Sequence, residues 1–114
     1  MTKDSKYYEL IVALKPLLPD DVRKALHQEF VNMVTDNGGE VLDVDVWGKR
    51  YLSFKIKGHN EGYYIIYSFK LGASFISEFR RQLELKQDVL RYMITEVEDV
   101  KSIGTRIKKK EIEI

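Results

Sequence analysis

Apolar residues recur along this chain with two periods, and the changes of period divide it into elements. From Tyr7 to Pro16, Leu10, Val12 and Leu14 take alternate positions. That spacing predicts a strand with one buried face, ended by Pro16. From Pro19 the spacing becomes helical, with Val22, Leu26, Phe30, Met33 and Val34 forming a single apolar stripe. Pro19 and Asp20 suit the start of that helix, where a fixed φ and a negative charge meet free N–H groups. Asn37-Gly38-Gly39 suits its end.

Alternation returns at Glu40. Leu42, Val44, Val46, Leu52, Phe54 and Ile56 hold even positions, against Asp43, Asp45, Trp47, Lys49, Tyr51, Ser53, Lys55 and Lys57 at odd ones. The pattern predicts a long amphipathic strand, bent or bulged at Gly48, with the even set facing the core. Gly58 to Gly62 reads as a loop, and Tyr63 to Leu71 as the returning arm of a hairpin. In that arm Tyr63, Ile65, Tyr67, Phe69 and Leu71 share one face, and Tyr64, Ile66, Ser68 and Lys70 the other. Ser74 to Glu84 predicts a short helix with Ile76, Phe79 and Leu83 as its stripe and Ser74 as N-cap. Asp88 to Val97 predicts a last strand that is apolar on both faces.

The order βαββαβ is that of an α+β, ferredoxin-like fold: a four-stranded antiparallel sheet with two helices on one face. Residues 1–97 are expected to form this single domain, and 98–114, a run of mixed charge, a mobile tail. The other sheet face stays open, and the pattern places Trp47, Lys49, Tyr51, Lys55, Tyr64 and Ile66 on it.

Composition narrows the chemistry. The chain has 114 residues, no cysteine and a net charge of +1. Disulfides, thiolate catalysis and Cys-based zinc sites are excluded, and any nucleic-acid role must come from local charge. No apolar run is long enough to span a membrane, and MTKDSKYYE lacks the apolar core of a signal peptide. The histidines, His27 and His59, are expected on the exposed side of the first helix and in the hairpin loop, which gives no metal or catalytic pair. Asp43 and Asp45 share a strand face, where solvation or pairing accounts for them. Phosphatase chemistry on this fold needs an Arg in the loop after the first strand, and Lys15-Pro16-Leu17-Leu18-Pro19 has none. No cofactor and no small-molecule substrate are expected.

The stretch from Trp47 to Lys57 stands apart, because it carries Lys49, Arg50, Lys55 and Lys57 and no acid. Cations beside Trp47, Tyr51 and Tyr64 suit phosphates together with stacked bases, or a partner's pockets. A small regulatory domain that self-associates through its sheet face and binds a metabolite is the alternative.

Several features together resemble the bacterial-type small ribosomal subunit protein six family: Tyr8-Glu9 with Pro16 after the strand, Trp47-Gly48-Lys49-Arg50-Tyr51-Leu52-Ser53-Phe54 followed by Ile56, Gly62-Tyr63-Tyr64, and Val89-Leu90-Arg91-Tyr92-Met93. Tyr51 stands where the family commonly has a second Arg, and Ser53 where it commonly has Ala. The resemblance implies a structural, non-catalytic component of the small ribosomal subunit. Its partners would be the central domain of the small-subunit ribosomal RNA and small-subunit protein eighteen. It implies that Lys49 and Arg50 contact phosphate or partner, that Trp47 and Tyr64 supply apolar area, and that Arg91 adds charge. With Tyr51, Lys55 and Lys57 these make up the expected binding set. The expected location is the ribosome, in a bacterial cytoplasm or a plastid.

Overall fold

The computed structural model describes residues 5–98. Strand β1 (Ser5–Leu14) leads to helix α1 (Asp20–Thr35), then to strands β2 (Glu40–Ile56) and β3 (His59–Gly72). A 3-10 turn over Ala73–Phe75 precedes helix α2 (Ile76–Leu85), and strand β4 (Val89–Val97) follows. The sheet order is β2-β3-β1-β4 and all three pairings are antiparallel. This is the expected ferredoxin-like arrangement. The segment expected to form a tail lies outside the described residues except for Glu98.

Directly opposed residues on paired strands share a face, so the register assigns every side chain. Leu10 opposes Tyr67 and Ile94, and Val12 opposes Ile65 and Tyr92. These residues face the helices, where Leu26, Phe30 and Val34 of α1 and Phe79 and Leu83 of α2 complete the core. The two-sided apolar pattern of β4 thereby resolves, with Tyr92 and Ile94 inward and Arg91 and Met93 outward.

α1 begins after Pro19 with Asp20 and Asp21 in its first turn, and ends where Gly39 N donates to Val34 O at 2.9 Å. Both ends agree with the sequence. Ser74 does not cap α2, because it lies within the preceding 3-10 turn. His27 is not a solvated surface residue. It is half-buried, its Nδ1 sits 2.8 Å from the Tyr67 hydroxyl, and the two rings stack. The hairpin loop is also tighter than expected. The turn is Lys57-Gly58, with φ of 50° and 82°, and β3 already begins at His59. Two successive positive φ values match the right-handed twist of the arms they join.

β2 departs most from a simple alternation. Its register with β3 slips between Val41 and Asp43, between Val46 and Gly48, and between Tyr51 and Ile56. Each extra residue exchanges the two faces. Val41 faces the helices opposite Phe69. After the Leu42 bulge Val44 and Val46 do so, and after the Trp47 bulge Lys49 and Tyr51 take that side, opposite Tyr63 and Glu61. Gly48, at φ 79°, occupies the backbone region that lets the second bulge form cheaply.

Candidate nucleic-acid and partner interface

The face away from the helices has an apolar cluster of its own. Ile11 and Ala13 of β1, Tyr64 and Ile66 of β3, Leu90 of β4 and Trp47 of β2 pack there, with Leu52 and Ile56 against them. Hence Leu52 and Ile56 do not join the helix-side core, and Phe54 joins no core at all, being 66% exposed. The expectation that these three face the helices is overturned by the one-residue bulge at Trp47.

Trp47 and Tyr64 do lie on the uncovered face, as the pattern placed them, but they are buried there. Trp47 retains 9% of its exposure, and its Nε1 donates to Asp45 Oδ2 at 2.9 Å. That bond also accounts for one carboxylate of the Asp43/Asp45 pair. Tyr64, opposite Ala13 and Gly48, is enclosed enough for burial to raise its hydroxyl's ionisation, an effect the nearby Arg91 guanidinium partly offsets.

The charged residues divide between the two faces. Arg50 lies opposite Gly62 on the open side, so the bulge does turn it outward, and its Nη1 donates to the Lys49 carbonyl at 3.0 Å. Lys49 and Tyr51 lie on the other side, contrary to the alternation, at the end of the hairpin beyond the packed helices. Tyr51 is 76% exposed there. Lys55 is exposed near the hairpin tip. Lys57, at the turn of the hairpin, donates from its Nζ to the carbonyl of Val89 at 3.0 Å. Arg91 is exposed on β4, opposite Ala13.

The curled tip and the open sheet face enclose a groove. Ile11 and Ala13 form part of its wall, Leu52, Phe54 and Ile56 come from the hairpin, and Arg91 and Met93 from β4. Among the described residues no Asp or Glu lines it. The sequence reading missed Phe54 and Met93 as surface-forming residues, because both look like strand core. Among the described residues no group of three His, Asp or Glu side chains is placed to hold a metal ion.

Residues 7–96 match the family model described as Ribosomal protein S6. The chain belongs to the ribosomal protein S6 family. It is 35% identical over 92 residues to the small ribosomal subunit protein bS6 of Moorella thermoacetica, covering 81% of this chain and 94% of that one. It is 40% identical over 91 residues to bS6 of Dictyoglomus turgidum, covering 80% and 94%. Its fold is similar to the crystal structure of 30S ribosomal protein S6 from Thermotoga maritima. There the TM-score is 0.77 at 18% identity, with 96% of this chain and 99% of that chain covered. As an S6-family member the chain is a structural constituent of the small ribosomal subunit and not an enzyme.

Proposed function

We propose that this S6-family protein binds the central domain of the small-subunit ribosomal RNA as a pair with small-subunit protein eighteen. The observation that carries this is the end of the β2–β3 hairpin, where Lys49, Arg50 and Lys55 are grouped with a single acid, Glu61, opposite Tyr51. Lys and Arg at phosphates supply affinity that needs no net positive charge on the whole chain. Lys49 and Arg50 take phosphates on opposite sides of the hairpin, and Arg91 adds a cation from β4. Tyr51 offers an aromatic surface beside them.

Trp47 and Tyr64 act differently in this proposal. They build the platform on which the partner docks, and contribute little exposed area of their own. Lys57 holds the hairpin in place and is not a primary phosphate contact. Residues 1–97 serve as one docking unit.

The test is co-sedimentation of the tagged full chain with small ribosomal subunits, then reconstitution on a central-domain RNA fragment with and without protein eighteen. Binding that is strong only when both proteins are present is expected. A chain that leaves the subunit at low salt, or whose RNA binding ignores protein eighteen, contradicts the proposal.

A further inference from the structure

Phe54 is the largest wholly apolar side chain of the hairpin without a core to fill. It lines the groove between the hairpin and β4, 66% exposed, together with Leu52, Ile56 and Met93, itself 43% exposed. Arg91 also lines the groove, and among the described residues no Asp or Glu does. The Lys57–Val89 hydrogen bond links the hairpin turn to the far edge strand.

Three properties of an occupant follow. It must offer a flat or apolar group to Phe54 and Met93. It must carry negative charge close to that group, to meet Arg91. It must also be accessible, because a base inside a duplex stack cannot enter a groove on a sheet. An unpaired nucleotide has all three, since every base has a π-face and a phosphate on either side. A purely aliphatic protein side chain satisfies the floor and leaves Arg91 unanswered.

Resting on the RNA-binding role proposed above, we infer that this groove holds one unpaired base of a single-stranded RNA segment, stacked on Phe54, with a flanking phosphate on Arg91. Phe54 is then a specificity residue for extruded or loop nucleotides. The lysines of the hairpin respond only to backbone charge.

The probe is a single-stranded RNA hexamer with one central 2-aminopurine, compared with the same hexamer abasic at that position, on the full chain at low salt, alone and with protein eighteen. The base-bearing hexamer is expected to bind about tenfold tighter, within the usual range for one base stacked on an aromatic ring. Its fluorescence is expected to be quenched, with methyl signals of Ile11, Ala13 and Met93 shifting. Phe54→Ala should abolish that difference and the quenching, and Phe54→Trp should restore both. Because Phe54 is exposed, the unfolding midpoint of each variant checks that the fold is unchanged. Equal binding of the two hexamers, or quenching that survives in Phe54→Ala, overturns the inference. Loss of binding in Lys49→Ala/Arg50→Ala with no effect of Phe54→Ala would keep the RNA role and refute the base pocket. If neither hexamer binds even with protein eighteen present, both fall. Methyl signals that ignore RNA and move only with protein eighteen assign the groove to a protein side chain instead.

Discussion

Lys57, at the turn of the β2–β3 hairpin, donates its ammonium to the carbonyl of Val89, the first residue of the opposite edge strand, at 3.0 Å. β2 and β4 are separated by two intervening strands. A lysine side chain is too short to bridge two strands, so the outer hairpin itself curls past the end of β1 to bring its turn to β4. Replacing the lysine tests this directly. Lys57→Met keeps the aliphatic stem and removes the bond, with an expected loss of about 1 kcal/mol, the value of an ordinary hydrogen bond and below that of a buried charged one, because the site is only partly buried. Urea unfolding measures that loss. Amide exchange should quicken in the hairpin tip more than in β1.

Trp47 shows why an open sheet face is not the same as an exposed one. Trp47→Ala removes the centre of the second apolar cluster and leaves Asp45 without its indole donor. A cost of about 3–5 kcal/mol is expected, out of a total near 5–15 kcal/mol for a domain of this size. Tyr64→Phe should cost far less. Chemical denaturation of both variants decides this. A stable Trp47→Ala protein that fails only in partner binding would show that the cluster contributes little to folding.

The two hairpin cations are expected to show themselves through salt. If Lys49 and Arg50 each neutralise one phosphate, each alanine variant should reduce the slope of log affinity against log salt by about 0.7–0.9. Binding of the central-domain RNA with protein eighteen, titrated at several salt concentrations, reads this out. An unchanged slope in both variants would remove these residues from the interface.

Tyr67 makes stability sensitive to alkali. Burial keeps its phenol neutral in the folded chain and raises its ionisation above the ordinary value of 10, while the unfolded chain loses the proton near that value. The raised folded-state pKa means that stability is fully present below pH 10 and is lost as pH rises beyond it. The expected loss from this group is about 1.4 kcal/mol per pH unit. Tyr64 titrates in the same direction, so Tyr67→Phe should flatten the decline in part. Thermal unfolding between pH 9 and 11 compares the two proteins.

The first half of the fold could be read directly from the sequence because its periods are unambiguous. Leu10, Val12 and Leu14 have no competing apolar set that reaches the helices, and Leu26, Phe30 and Val34 make a single stripe. The hairpin could not be read in the same way. Both faces of the sheet bury apolar residues, so an apolar side chain at Leu52 or Ile56 does not reveal which face it serves. The even positions of β2 appear continuous from Leu42 to Ile56 although the register slips beneath them. Gly48 was the available signal. A glycine within a strand marks a bulge, and the phase of everything beyond it follows. His27 was misplaced for a related reason. It lies beside Val31, which packs on the core at the edge of the α1 stripe, close enough for its ring to meet Tyr67.

The bulge at Trp47 makes pairing register a determinant of which residues meet a partner. If the bulge flattened at constant chain length, Trp47 would take the place of Gly48 opposite Tyr64 and every residue beyond would slip by one against β3, exchanging the two sides of the outer hairpin. Arg50 and Leu52 would then turn toward the helices, and Lys49 and Tyr51 toward the open face. A binding surface built this way hangs on one glycine at positive φ, so a single change at Gly48 could erase it more completely than replacing any one contact side chain.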